Sequence, residues 1–261
     1  MLLPQESFLS YDISPEVTAF STRRQGGVSK GNYAAFNVNH YCGDDPDDVA
    51  ENRKMLCSSL GIDTMRLVIP HQVHGTQVRL INNDFFLLTA AERQAALEGV
   101  DAVITQDTGV CIGVSTADCI PVLLYYTDHH ACGVAHAGWR GTVARIVQHT
   151  LSVMQDVFDT DSHTIRAVIG PGISLDAFEV GQEVYDAFSA AHFPMQRISR
   201  RYEKWHLDLP LCNRLQLIDA GVPDDHIHDA AVCTYCNPDE FFSARRLGIH
   251  SGRIFTGMVL R

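Results

Sequence analysis

Two runs of the sequence carry side chains suited to chemistry. They are Thr116-Ala117-Asp118-Cys119 and His136-Ala137-Gly138-Trp139-Arg140-Gly141-Thr142. A thiol and an imidazole beside turn-forming residues can serve as nucleophile and base, or as metal ligands. A third donor, His74, lies upstream in His71-Gln72-Val73-His74-Gly75. Catalytic zinc commonly takes three nitrogen or sulfur donors and keeps a fourth position open. His74, Cys119 and His136 supply such a set, at separations so long that the fold and not a local loop would assemble it. A cation there would hold Cys119 as thiolate and lower the pKa of a bound water to about 7. Residue types alone leave three readings open. These are a metal centre, a metal-free pair of Cys119 with His136 or His74, and three unrelated buried residues.

Other features near these runs suggest ligand contacts. Gly138 to Thr142 falls where a strand hands over to a helix, so free N–H groups and Arg140 suit an oxyanion or a phosphate. Arg23-Arg24-Gln25-Gly26-Gly27 reads as a loop whose backbone comes close to a ligand, or as a plain surface turn. Cys233-Thr234-Tyr235-Cys236 is a lone CxxC with no second pair, and reads as structural. Neither a Walker motif nor G-x-G-x-x-G occurs, which disfavours nucleoside triphosphate and Rossmann readings.

The elements that must position these residues can be read from apolar runs and punctuation. Cys111–Ser115, Pro121–Tyr126 and Ala131–Ala135 read as buried strands, with Cys119 at an interruption and His136 at a strand end. Val17–Thr22, Leu67–Ile69, Asp101–Thr105, Ile165–Ile169, Asp229–Cys233 and the C-terminal run to Leu260 read as further strands, and apolar residues at 73, 78 and 80 as another, broken at Gly75. The acidic run Asp44–Asp48 reads as the start of a helix that ends near Gly61, not as a metal site. Ala90–Leu97 is helical or an excursion loop. A helix carrying Val143, Ile146, Val147, Leu151 and Met154 follows the histidine run. Phe178–Phe188 reads as an amphipathic helix. Another helix has Asp208 as N-cap and Leu211, Leu215 and Ile218 as its buried stripe. Interleaved strands and helices predict an α/β fold with a mixed sheet.

Bulk composition narrows the function classes. The 261 residues are 46% hydrophobic and 20% charged, with a net charge of −11, ordinary for a globular protein. No basic stripe exists to release counterions, so a nucleic-acid partner is not expected. No run approaches the roughly 20 apolar residues of a membrane span. Met1–Ser7 lacks a positive leader, so no signal peptide is expected. Eight scattered cysteines suit reduced thiols in a cytoplasm better than a disulfide framework.

At the chemistry-bearing residues the sequence resembles the YfiH-like family, also called the polyphenol oxidase (laccase-domain) family of purine nucleoside phosphorylases. The matching strings are Gln72-Val73-His74-Gly75, Thr116-Ala117-Asp118-Cys119, His136-Ala137-Gly138-Trp139-Arg140-Gly141, Phe178-Glu179-Val180-Gly181 and Cys233-Thr234-Tyr235. Phe241-Phe242-Ser243-Ala244-Arg245-Arg246 and Gly252-Arg253 agree as well. They run in order from Phe20 to the C-terminus. The resemblance implies a zinc or copper site at His74, Cys119 and His136, these residues also being the catalytic ones. It implies phosphorolysis of adenosine, inosine and S-methyl-5′-thioadenosine, with adenosine deamination in the same pocket. It further implies one domain over residues 1–261, in a three-layer α-β-β-α arrangement with mixed β-sheets shared with cysteine hydrolases. Asn37 and Arg246 fall in matching strings and are expected in the pocket. The family's Thr-Arg-x-Gly-Gly has one extra residue here, and spacing to the glycines favours Arg24 over Arg23 as the substrate or phosphate arginine, beside Arg140. The implied partners are purine nucleosides and phosphate, bound by a cytoplasmic monomer or small homo-oligomer.

Three rivals stand beside this reading. One is a metal-free thiol hydrolase or amidase acting on a peptidoglycan precursor. Another is phenol oxidation at copper, which calls for several His-x-His pairs where this chain has only His226-Ile227-His228. The third is a zinc-stabilised binding module.

Overall fold

The long apolar runs of the sequence sit at the centre of two stacked mixed sheets in a computed structural model that describes residues 3–261. Met1 and Leu2, the start of the N-terminal stretch read above, lie outside the described residues. In chain order the strands are β1 (Phe8–Tyr11), β2 (Val17–Thr22), β3 (Leu67–Val68), β4 (Val78–Leu80), β5 (Ala102–Thr105), β6 (Cys111–Thr116) and β7 (Ile120–Tyr126). They continue as β8 (Ala131–Ala137), β9 (Ile165–Ile169), β10 (Glu179–Val180), β11 (Ser199–Arg201), β12 (Trp205–Leu207), β13 (Ile227–Asp229) and β14 (Ile254–Leu260). One sheet has the order β1-β2-β14-β6-β3 and the other β13-β9-β7-β8-β5-β4, with a small β10-β12-β11 sheet beside them. Parallel pairs occur at β3–β6, β4–β5 and β9–β13, and the remaining pairs are antiparallel.

Every residue of β6, β7 and β8 is buried. Both faces of these strands are covered, so their sequences run apolar without alternation. Ile112, Val114 and Met258 of the first sheet meet Leu123, Tyr125, Val134 and Val168 of the second. On the second sheet's outer face, Val122, Leu124 and Ala135 pack against Val147, Leu151 and Met154 of the helix Ile146–Phe158. On the first sheet's outer face, Phe20 and Phe255 pack against Met55, Leu56 and Leu60 of the helix Pro46–Leu60. The result is the α-β-β-α order. That last helix begins and ends as its sequence indicates. Asp45 caps it through the Asp47 N–H, Pro46 opens it, and Gly61 terminates it at φ 67°.

Strand register is what gathers the site. In the β7–β8 hairpin, Ile120 faces Ala137, so Cys119 just before β7 lies beside the end of β8 that carries His136. In the β5–β8 pair, Ala102 faces Ala135, which sets Asp101 against His136. Parallel pairing of β4 with β5 places Val78 opposite Ala102 and brings the 71–77 loop to the same corner.

Several local expectations are corrected. The helix read through Val143 is two helices, Trp139–Val143 and Ile146–Phe158, because Arg145 adopts φ 64° between them. Its guanidinium lies 3.9 Å from the Phe193 ring centroid and donates to the Ala191 carbonyl, contacts that fix the bend. Phe178–Phe188 is not one helix. Glu179–Val180 pairs with β12, and the helix Gln182–Ala190 starts only after Gly181. Leu209–Asp219 turns Leu209, Cys212, Asn213, Gln216 and Leu217 inward, leaving Ile218 exposed. Asn213 and Gln216 are inside because their amides donate to the Leu209 and Thr142 carbonyls. The strand read at Asp229–Cys233 lies earlier, at Ile227–Asp229, and of the 73–80 run only Val78–Leu80 is strand.

Candidate metal centre

The ring nitrogens of His74 and His136 and the Cys119 sulfur lie within 4.8 Å of one another. The structure therefore brings together the trio chosen from residue type. His136 is buried, Cys119 half-buried and His74 exposed, so the cluster opens to solvent on the His74 side.

A single carboxylate holds this geometry. Asp101 is fully buried. Its Oδ1 accepts from His136 Nδ1 at 2.8 Å and from the His74 backbone N–H at 2.9 Å. Its Oδ2 accepts from the Gly75 and Val73 N–H groups at 2.7 and 3.2 Å. The His136 N–H returns a 2.8 Å bond to the Asp101 carbonyl. Engaging Nδ1 leaves Nε2 of His136 as the ligating nitrogen, the carboxylate–histidine arrangement common behind metal ligands. The three loop amides also account for His74 sitting at φ 63°, a conformation that persists only where surrounding bonds enforce it.

Charge is matched across the cluster. Burial opposes a thiolate at Cys119, yet His136 and His74 outweigh it and bring the thiol down to about 6. Burial likewise opposes an imidazolium at His136, but Cys119 and Asp101 bring that ring up to about 9. Asp101 is buried, which favours its neutral form, but its bonds to His136 and the loop amides hold it below the usual carboxylate range. Thiolate and imidazolium therefore coexist near neutrality, and a divalent cation can take the place of the proton that His136 Nε2 would otherwise carry. The donor set of one thiolate and two imidazoles suits zinc or copper.

Gly138 explains the glycine of the histidine run. A Cβ there would lie 2.8 Å from His74 Cδ2 and 3.0 Å from Cys119 Sγ. The turn at Gly138 thus closes the back of the cluster, and the helix after it spans only Trp139–Val143. Asp118, the carboxylate nearest in sequence to Cys119, is used as a tie. It accepts from the Thr234 hydroxyl and the Arg245 N–H, each at 2.7 Å.

In front of the cluster lies a cavity of about 310 Å³ lined by Tyr41, His71, Gln72, Ser115, Thr116 and Arg253, besides the three cluster residues. Tyr41 stacks on His71 with centroids 4.2 Å apart, and Glu98 holds His71 Nδ1 at 2.7 Å. The polar residues expected in the pocket sit elsewhere. Arg24 donates to the Ala34 and Pro238 carbonyls and lies over Phe242. Arg140 is exposed over Trp139, and Arg246 is exposed over Tyr235. Asn37 is fully buried behind the cavity, accepting from the Arg253 N–H and donating to the Asn39 carbonyl. Sequence reasoning missed Asp101, Tyr41 and Arg253 as site residues. Gly252-Arg253 was visible as a matching string, whereas Asp101 offered only its place at a strand start.

Fold and cluster together define a mixed α/β protein with a His–Cys–His centre at its strand ends. Residues 18–261 match the family model described as multi-copper polyphenol oxidoreductase laccase, and the chain belongs to that family. It is 47% identical over 262 residues to a purine nucleoside phosphorylase of Bacteroides thetaiotaomicron, covering 99% of this chain and 96% of the relative. It is 44% identical to adenosine deaminase RL5 of an unknown prokaryotic organism, covering 93% of each. Among solved structures, YlmD from Geobacillus stearothermophilus superposes with a TM-score of 0.91 at 32% identity, covering 100% of this chain and 99% of that one. With full-length relatives of this identity named as enzymes, the chain is an enzyme.

Two outcomes follow from this geometry. Asp101→Asn sets an amide NH₂ or a weaker acceptor against the loop N–H groups, so zinc affinity measured by chelator competition should fall roughly 10- to 100-fold. Unchanged affinity would remove Asp101 from the account. In metal-free protein, the 240 nm thiolate absorbance lost in Cys119→Ser should rise with pH through a midpoint near 6. A midpoint near 9 would show a thiol that His136 and His74 do not influence.

Proposed function

We propose that residues 1–261 form one domain that acts as a metal-dependent purine nucleoside phosphorylase. Its substrates are adenosine, inosine and S-methyl-5′-thioadenosine, and the same pocket deaminates adenosine. The observation that carries this reading is the convergence of His74, Cys119 and His136 on one point beside a cavity of nucleoside size. The names of the phosphorylase and deaminase relatives, at near-complete coverage, support the substrate class.

His74, Cys119 and His136 hold the cation, zinc or copper, and are the catalytic residues. A bound cation supplies Lewis acidity beside the cavity. The chain's own groups do the remainder. Asp101 fixes the His136 ring and the His74 loop. The face formed by Tyr41 stacked on His71 offers a flat surface for a purine. In phosphorolysis a phosphate oxygen bonds to C1′ as the C1′–N9 bond breaks, and the purine leaves with a proton. In deamination the oxygen of water bonds to C6 as the C6–N bond breaks, and the amino group leaves as ammonia. Asn37 supports the cavity from behind through the Arg253 N–H, and Arg24, Arg140 and Arg246 are the arginines proposed to meet substrate or phosphate. The enzyme works as a cytoplasmic monomer or small homo-oligomer on nucleoside and phosphate, without nucleic acid. Among the described residues no helix is long and apolar enough to cross a membrane.

A second reading, a thiol hydrolase or amidase acting on a peptidoglycan precursor, is favoured by the lowered Cys119 thiol beside His136. Copper oxidation of phenols is less favoured, because the described residues contain one candidate metal cluster with three donors.

Metal analysis with an inosine-plus-phosphate assay separates these. Cys119→Ala and His136→Ala should lose bound metal and at least ~99% of phosphorolysis, a loss on the scale of removing a principal electrostatic contributor, while remaining folded by circular dichroism. Full turnover after chelation would favour the thiol mechanism, and loss of folding in Cys119→Ala would favour a zinc-stabilised module.

A further inference from the structure

We propose that Cys233 and Cys236 form an oxidation site, a dithiol that hydrogen peroxide converts into a disulfide on the turn that braces Cys119. The site stands apart from the metal cluster and does not depend on the phosphorylase reading.

The local backbone sets the two thiols side by side. The Asn237 N–H and side-chain amide donate to the Cys233 carbonyl at 3.2 and 2.8 Å, which winds residues 233–237 into one helical turn. In such a turn residues three apart are neighbours on one face, roughly 5–6 Å apart at Cβ. Closing a disulfide there takes a small side-chain rotation and no refolding. Between the cysteines, Thr234 donates its N–H to the Gly172 carbonyl at 3.0 Å and its hydroxyl to Asp118 Oδ1 at 2.7 Å. The turn is thus fastened to the loop after β9 and to the residue before Cys119.

Environment separates this pair from the chain's other cysteines. Burial pushes the thiols of Cys42, Cys57, Cys111, Cys132 and Cys212 up. Besides Cys119, the cysteine brought down is Cys233. Burial opposes its thiolate, but the Ser174 hydroxyl and N–H and the groups of Cys236 outweigh it. The Ser174 N–H donates to Cys233 Sγ at 3.4 Å. Cys236 is exposed, and Cys233 pushes its thiol up. A lowered thiol beside a second one is the pattern of an attacking and a resolving cysteine. Cys233 is half-buried and lines a cavity of about 240 Å³ with Ser174, Asp176, Asp208 and Asp229. That acidic lining opposes an anionic reagent such as oxidised glutathione and admits a small neutral oxidant.

The chemistry needs only the two thiols and the peroxide. The Cys233 thiolate bonds to one peroxide oxygen as the O–O bond breaks, and the hydroxide released takes up the proton that Cys233 gave up. The Cys236 sulfur then bonds to Cys233 Sγ as the S–O bond of the sulfenic acid breaks, and the Cys236 proton leaves with that hydroxide. Two thiols are oxidised by two electrons, and one peroxide is reduced to two waters.

The test is treatment of zinc-loaded protein with hydrogen peroxide, followed by N-ethylmaleimide, trypsin and mass spectrometry. The tryptic peptide Leu215–Arg245 holds both thiols and no other cysteine, and Cys119 falls in a different peptide. Untreated protein should give this peptide with two maleimides. Peroxide should give it unlabelled and two hydrogens lighter, and dithiothreitol should restore both labels. In Cys236→Ser, dimedone should trap a sulfenic acid at Cys233. In Cys233→Ser, Cys236 should react at least roughly tenfold more slowly than Cys233 does in Cys236→Ser, as its raised thiol dictates. Two maleimides retained after peroxide overturn the site, and this arm uses the unaltered chain, so it stands even where a serine variant misfolds. Dimedone labelling of Cys236 as fast as of Cys233 overturns it too, as does a disulfide from either cysteine to another peptide in place of the 233–236 link.

Discussion

The buried carboxylate of Asp101 is the constraint on which the rest of the site depends. One side chain accepts four hydrogen bonds, one from the imidazole on β8 and three from the amides of the loop that carries His74. It thereby sets the tautomer of one ligand and the backbone conformation of another. Burying a charge this deeply is unfavourable unless every lone pair finds a donor. Here the donors are the pieces that must be held still, so the stabilisation of the carboxylate and the construction of the site are one set of bonds.

The sheets explain why such a junction can exist. β5, β7 and β8 are neighbours in one sheet, and the ends that carry Asp101, Cys119 and His136 meet at one corner. Thiolate and imidazoles are drawn together by register and not by a flexible loop. The Cys119 turn is itself tied to the C-terminal segment, through Asp118 to Thr234 and Arg245. That segment also delivers Arg253 to the cavity, through Asn37. Strings far apart in the sequence, from Asn37 to Arg253, are thus held to a common purpose by buried polar bonds.

Much of this was legible beforehand where residue type carries the message. A thiol and two imidazoles at strand ends mark themselves, and continuous apolar runs announce strands covered on both faces. What stayed hidden was pairing. Asp101 looks like the first residue of an ordinary strand until β4, β5 and β8 align around it. Asn213 and Gln216 look like surface residues of a helix whose leucines face inward, yet their amides meet backbone carbonyls and turn that face to the core. Arg145 gives no sign of breaking a helix, because its bend is fixed by contacts to Phe193 and Ala191. Arg24 and Asn37 do not line the cavity, since the Arg24 guanidinium is spent on the Ala34 and Pro238 carbonyls and the Asn37 amide on the Asn39 carbonyl and the Arg253 N–H. Composition and spacing report what a residue can do; burial and register decide what it is left free to do.

X-ray absorption at the zinc edge on the purified, metal-loaded protein addresses the central claim most directly. The account predicts one sulfur scatterer at ~2.3 Å and two imidazole nitrogens at ~2.0–2.1 Å, with the sulfur shell lost in Cys119→Ser. A spectrum without sulfur, or with sulfur that persists in that variant, would show that these three side chains do not share an ion.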